Sequence, residues 1–272
     1  MTSHENEYVL GTDDAELARL GLQHRLWSAQ AFACWERAGV TPGHTILDVG
    51  SGPGFASLDL AQIVTASGRV IAVDESERFL RYLAQRAASL GIAHIETRVG
   101  DVHTLDIRAQ SVDVAYARWL LCFTPRPEDV IARVASALKP GGVFAVQDYI
   151  NWGALSLSPR SDAFLRVMPS VGKSWRDRGG DWQVGGRLPA LLAARGLRVE
   201  QIAPLQRVAR STDPLWQWPT TFFANFIPRL VEQGLVSERD WREMESDWNE
   251  RSRDPNAFFW TPSMVEIVAR RV

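Results

Sequence analysis

Between residues 44 and 150 the chain alternates short apolar runs with stretches of helical periodicity. Thr45-Ile46-Leu47-Asp48-Val49 reads as a buried strand and Gly68-Arg69-Val70-Ile71-Ala72-Val73-Asp74 as a second apolar one, while Thr97-Arg98-Val99, Val112 to Arg118 and Val143 to Asp148 read as further strands. Between them, Ala56, Leu58, Leu60, Ala61, Ile63 and Val64 recur at helical spacing, as do the apolar residues of Ser76–Leu90 and Pro127–Leu138. Strands alternating with helices predict a parallel sheet joined by right-handed crossovers. The pattern breaks over 151–185, resumes as a helix over Pro189–Arg195, and alternates as a strand from Leu197 to Ile202. Residues 214–252 are helical again, and Met264-Val265-Glu266-Ile267-Val268-Ala269 closes the chain as a last strand. Upstream, Thr12-Asp13-Asp14 offers a helix start with Leu17 and Leu20 on its apolar side, and a second helical stretch runs from about Gln23 to Ala38.

The ends of the apolar runs carry the chemistry. The first breaks into Gly50-Ser51-Gly52-Pro53-Gly54, a turn in which glycines allow sharp bends and leave no Cβ to collide with a ligand. A dinucleotide site expects G-x-G-x-x-G, so that a helix N-terminus can approach a pyrophosphate. Here the spacing is G-x-G-x-G, with Phe55 where the third glycine would fall. Asp48 precedes the first glycine by two residues, a place where a carboxylate favours a cationic amino group over a phosphate. Asp74 ends the second run 20 residues after Gly54, near the spacing of a carboxylate that accepts ribose hydroxyls, with Glu75 beside it. Asp74 could alternatively cap the helix that starts near Ser76. Gly100-Asp101-Val102 follows the third run, and Ala117-Arg118 ends the fourth.

In order and spacing, Ile46 to Gly54, Asp74, Gly100-Asp101-Val102 and Lys139-Pro140-Gly141-Gly142 resemble the motifs of class I S-adenosylmethionine-dependent methyltransferases, in particular the bacterial small-molecule, ubiquinone-biosynthesis-like group. The resemblance implies a Rossmann-like, doubly wound α/β fold with seven strands, mostly parallel with an antiparallel last strand, plus helical cap insertions. It implies residues 1–40 as a flap, 41–150 and 186–272 as the core of a single domain, and 151–185 and 214–252 as acceptor caps. It further implies S-adenosylmethionine as cofactor and S-adenosylhomocysteine as product. Asp48, Gly50, Ser51, Gly52, Gly54, Asp74 and Glu75 would hold its amino acid and ribose ends, Asp101 and Val102 the adenine, and Ala117 and Arg118 would face the methionine end. Tyr8 and Trp27 resemble flap aromatics that cover the ligand. The implied reaction passes a sulfonium methyl to an O, N or C nucleophile of a small organic acceptor, mainly through positioning.

A weak acceptor would also need a base, and His24, Asp148 and Tyr149 are the candidates. Each has a plain alternative: His24 as a packed histidine, Asp148 and Tyr149 as supports of the cap. His103 follows Asp101 closely, in a loop that faces adenine more than the methyl group.

Composition narrows the partners. A net charge of −2 argues against a chain dedicated to nucleic acid. The Asn/Asp-Pro-Pro-aromatic run of nucleic-acid amino methyltransferases is replaced by Ala117-Arg118-Trp119-Leu120, and no Pro-Cys occurs. No clustered His or carboxylate ligands suggest a metal. Cys34 and Cys122 lie in apolar surroundings and read as buried thiols. With no signal-peptide core and no membrane-length apolar run, the expectation is a cytoplasmic protein without membrane attachment. Eight of the 11 tryptophans fall after residue 150, as packing for a lid with a few lining an acceptor pocket. Two alternatives stay open: a nicotinamide oxidoreductase, and an S-adenosylmethionine-binding protein with a non-methyl reaction. Oligomeric state is open too, a homodimer included.

Overall fold

The computed structural model describes residues 12–272. The chain divides into two compact units. One comprises Trp27–Trp152, Gly179–Gln206 and Pro262–Val272; the other comprises the residues through Leu26, Gly153–Arg178 and Arg207–Thr261.

The first unit holds β1 (Thr45–Val49), β2 (Arg69–Asp74), β3 (Ile95–Val99), β4 (Val112–Arg118), β5 (Leu138–Asn151), β7 (Leu197–Leu205) and β10 (Ser263–Arg271), in the order β3-β2-β1-β4-β5-β10-β7. Strands β1 to β5 pair in parallel, and β10 runs antiparallel to both β5 and β7. This is the expected seven-stranded sheet with one antiparallel strand. Its central strands are buried on both faces, which is why they read as continuous apolar runs. Lys139 to Gly142 form a bulge inside β5: Val112 pairs with Leu138 and Val114 with Val143. The crossovers are α2 (Phe55–Val64), α3 (Glu77–Ser89) and α4 (Pro127–Ala137), with α6 (Leu188–Ala193) before β7.

The expected pair of N-terminal helices is one continuous α1 (Asp14–Arg37). Glu16, Arg19, Gly21, His24, Trp27, Ala31 and Cys34 form a buried stripe along it at steps of two to four residues, with Trp35 buried beside Cys34. The first half of that stripe is polar, so its periodicity is invisible to an apolar count. Burial is possible there because Arg19 grips Glu16 with two hydrogen bonds, 2.7 and 2.6 Å.

The second unit holds α5 (Asp162–Arg176), α7 (Gln217–Glu232), α8 (Glu238–Arg251) and a three-stranded sheet, β6 (Ser156–Ser158), β9 (Phe258–Trp260) and β8 (Val208–Arg210). These three-residue strands are too short to show alternation, and the sheet was not anticipated. An aromatic core binds the unit together. Trp216 stacks on Trp248 at 4.4 Å, and Phe223 meets Trp248, Phe164 and Phe259 edge-on. Trp248 Nε1 donates to Thr220 Oγ1 at 3.0 Å. Thr220→Val therefore strands that indole N–H and is expected to lower stability by about 1–2 kcal/mol in a denaturant titration; an unchanged midpoint would mean that the indole finds another acceptor. No helix among the described residues is long and apolar enough to cross a membrane.

Candidate functional site

Because β3, β2, β1 and β4 are parallel neighbours, the loops after them emerge along one edge of the sheet, where open α/β sheets bind ligands. Backbone bonds tie these loops together. Ser51 N donates to Val73 O at 2.9 Å, and Gly100 N to Asp74 O at 3.0 Å.

The glycines of the first loop all sit at positive φ but do different work. A Cβ on Gly54 would lie 2.4 Å from Leu83 Cδ1, and one on Gly50 would lie 2.5 Å from Leu120 Cδ1. Those two let the loop pack on the core. A Cβ on Gly52 meets nothing within 4 Å, so this glycine presents bare backbone to open space. Its amide donates to Asp74 Oδ2 at 2.7 Å, while Ser76 N donates to Oδ1 at 2.9 Å. The cap of α3 is Ser76, whose hydroxyl accepts from Phe79 N. Asp74 thus braces the glycine loop, each of its oxygens retains a lone pair for a hydroxyl donor, and burial raises its pKa.

Asp48 is 3% exposed. Burial pushes its carboxyl up to about 6 despite a 2.5 Å hydrogen bond from Ser57 Oγ and the field of Arg118. Partial burial, then the charges of Asp101 and Asp74, raise Glu75. In the third loop, Asp101 Oδ1 accepts from both His103 N (2.8 Å) and His103 Nδ1 (2.6 Å). Against the upward push of partial burial, these two donors hold the Asp101 carboxyl below its usual range. Val102 is buried beside it.

At the end of β4, Ala117 is buried and Arg118 stacks on Trp119, with its guanidinium 4.8 Å from the ring. Trp119 has φ +50°, a strained value for a bulky residue. Its indole is pinned by a 2.9 Å bond to Met264 Sδ and by the edge of Trp27 at 5.9 Å. Trp119, Ser57 and the grip of His103 were missed in the sequence. Only the Trp119 position, one residue past a strand end, carried any signal.

Residues 41–174 match the family model described as a methyltransferase domain. Over that stretch the chain is similar to the methyltransferase-domain family. It is 31% identical over 181 residues to an arsenite methyltransferase of Halobacterium salinarum, covering 66% of this chain and 43% of that protein. It is 28% identical over 152 residues to a ubiquinone/menaquinone biosynthesis C-methyltransferase of Ectopseudomonas mendocina, covering 55% and 58%. It thus spans about half the length of these curated relatives. The crystal structure of geranyl diphosphate C-methyltransferase from Streptomyces coelicolor A3(2), in complex with S-adenosyl-L-homocysteine among its ligands, matches with a TM-score of 0.60 at 19% identity, over 92% of this chain and 77% of that one.

The remaining candidates separate. Asp148 is wholly buried, accepts from Cys122 N (3.2 Å) and Tyr149 N (2.8 Å), and is pushed up to about 6 by burial. Those bonds make it a support for the loop after β4. Tyr149 is buried, with its ring against Trp152 at 5.3 Å. His24 is buried on the part of α1 that belongs to the second unit. Tyr8 lies outside the described residues.

Proposed function

We propose that this chain is a methyltransferase that binds S-adenosylmethionine along the edge formed by the ends of β1 to β4 and methylates a small organic acceptor. One observation carries the cofactor: a sealed carboxylate, Asp48, directly behind a glycine loop whose Gly52 leaves its face open. A buried carboxylate with a single hydroxyl donor and a raised pKa is suited to an ammonium partner. A phosphate would be repelled by it, which disfavours a nicotinamide dinucleotide. Asp74 takes the ribose hydroxyls with its spare lone pairs, and Asp101 Oδ2, with no donor among the described residues, takes the adenine amine.

The bound cofactor supplies an activated sulfonium methyl, so the chain's task is to hold the reactants in line and keep water out. The Trp27–Trp119 corner and Arg118 lie at the strand end that the methionine moiety would face, and they wall the site there. Asp148 is sealed and amide-bound, so it takes no proton from a substrate. Catalysis then rests on positioning an acceptor with nucleophilicity of its own. A cytoplasmic setting and a substrate other than nucleic acid are part of the same proposal, in keeping with the net charge of −2.

Parallel calorimetric titrations with S-adenosylmethionine, S-adenosylhomocysteine and NAD test the cofactor. Micromolar binding of the first two without NAD supports the proposal, and binding of NAD alone overturns it. Acceptor screening then looks for a product with one added methyl mass. Asp74→Ala is expected to weaken S-adenosylhomocysteine binding by about 1–3 kcal/mol through loss of the charged ribose contact; unchanged affinity would remove Asp74 from the site.

A further inference from the structure

We infer that His103 is a positioning residue for cofactor recognition: it clamps one oxygen of Asp101 so that the other is presented to the exocyclic amine of adenine. Asp101 is 44% exposed at its side chain, and a carboxylate that free to rotate would be a poor reader of a single amine. His103 removes that freedom. Its backbone N and ring Nδ1 both donate to the same oxygen, Oδ1, from 2.8 and 2.6 Å, and no group among the described residues donates to Oδ2. Two bonds converging on one oxygen set the carboxylate plane and leave the second oxygen's lone pairs directed away from the clamp.

The clamp is itself anchored. Thr104 N donates to Asp101 O at 3.1 Å, and Arg133 Nε from α4 donates to His103 O at 3.3 Å. The imidazole has no direct use for a ligand: its side chain is 12% exposed, and its second nitrogen, Nε2, is shut away from solvent without a partner. Leaving a buried ring nitrogen unsatisfied costs free energy, so packing alone would favour an apolar side chain here. What the histidine adds is the Nδ1 donor aimed at Asp101, which also fixes the neutral ring's tautomer with hydrogen on Nδ1.

The inference rests on the proposal that the cleft takes an adenosyl cofactor. The test compares S-adenosylhomocysteine with S-inosylhomocysteine, in which the amine is replaced by a carbonyl oxygen, by calorimetry on the full chain. The unmodified protein is expected to prefer the adenine compound by roughly 10- to 100-fold, the worth of a hydrogen bond to a charged group. His103→Ala should lower that preference at least about fivefold, and His103→Asn, whose side-chain amide can replace the Nδ1 donor, should restore most of it. A general loosening of the loop would weaken both ligands alike and leave the ratio unmoved. An unchanged ratio in His103→Ala, with tight S-adenosylhomocysteine binding to the unmodified protein, overturns the clamp and spares the cofactor assignment. Failure of the unmodified protein to bind either compound overturns both.

Discussion

Asp48→Asn lowers affinity for S-adenosylmethionine by about 100-fold or more at neutral pH, while the ligand-free protein becomes no less stable. The two effects have opposite signs because the same burial causes both. With the ligand's ammonium in place, removing the carboxylate leaves a desolvated cation without its partner, a loss of about 3–5 kcal/mol. Without the ligand, the buried charge is a burden. Its pKa stands at about 6 against 3.8 for the ordinary side chain, a cost of about 3 kcal/mol above pH 6, partly offset by the Ser57 bond that asparagine weakens. The folded state binds more protons than the unfolded one between those two values, so this group's contribution to stability falls as pH rises through the window. Binding runs the other way. Protonating Asp48 removes the anion that the ammonium needs, so affinity drops as pH falls below about 6 in the unmodified protein and stays flat there in Asp48→Asn. Calorimetric binding from pH 5 to 8, with scanning calorimetry of both proteins, measures all of this. Equal affinity for the two proteins would remove Asp48 from the site.

What the sequence could and could not reveal follows from how each residue acts. The core strands were legible because Ile46, Leu47, Ile71 and Val114 are buried whichever face they turn to, which leaves an unbroken apolar run. Asp48, Asp74 and Asp101 were legible because each lies at, near or just past the end of such a run, and parallel neighbours bring those ends to one edge. The start of α1 was legible at Thr12-Asp13-Asp14, but the buried face of its first half was not, because that face is made of Glu16, Arg19 and His24, and the ion pair between Arg19 and Glu16 is what makes the burial of those two tolerable. The small sheet β6-β9-β8 was hidden by its length, since three residues cannot establish a period. Side-chain grips such as Ser57 on Asp48 and His103 on Asp101 were hidden for another reason. They depend on rotamers and distances of tenths of an ångström, which no spacing in a sequence encodes.

Gly54→Ala and Gly52→Ala, two identical substitutions two residues apart, are expected to fail in different ways. At Gly54 the new methyl group would sit 2.4 to 2.7 Å from three atoms of Leu83, a side chain with no exposed surface, and φ is +75°. Overpacking plus a disfavoured backbone angle predicts a loss of about 2–4 kcal/mol, or roughly 4–16 °C in Tm for a chain of this size. Leu83→Ala in the same chain should recover the packing part of that loss beyond what the two single changes sum to, because the residues touch. At Gly52 the methyl group meets no protein atom, and only φ +54° opposes it, so about 1 kcal/mol of stability is expected to go. The methyl group instead occupies the face proposed for the ligand, and S-adenosylhomocysteine affinity should fall by about tenfold or more, the equivalent of one well-placed contact. Thermal melts and calorimetric titrations of the two variants separate the cases. Should Gly52→Ala bind the cofactor as tightly as the unmodified chain, the open face of the loop is not where the ligand lies.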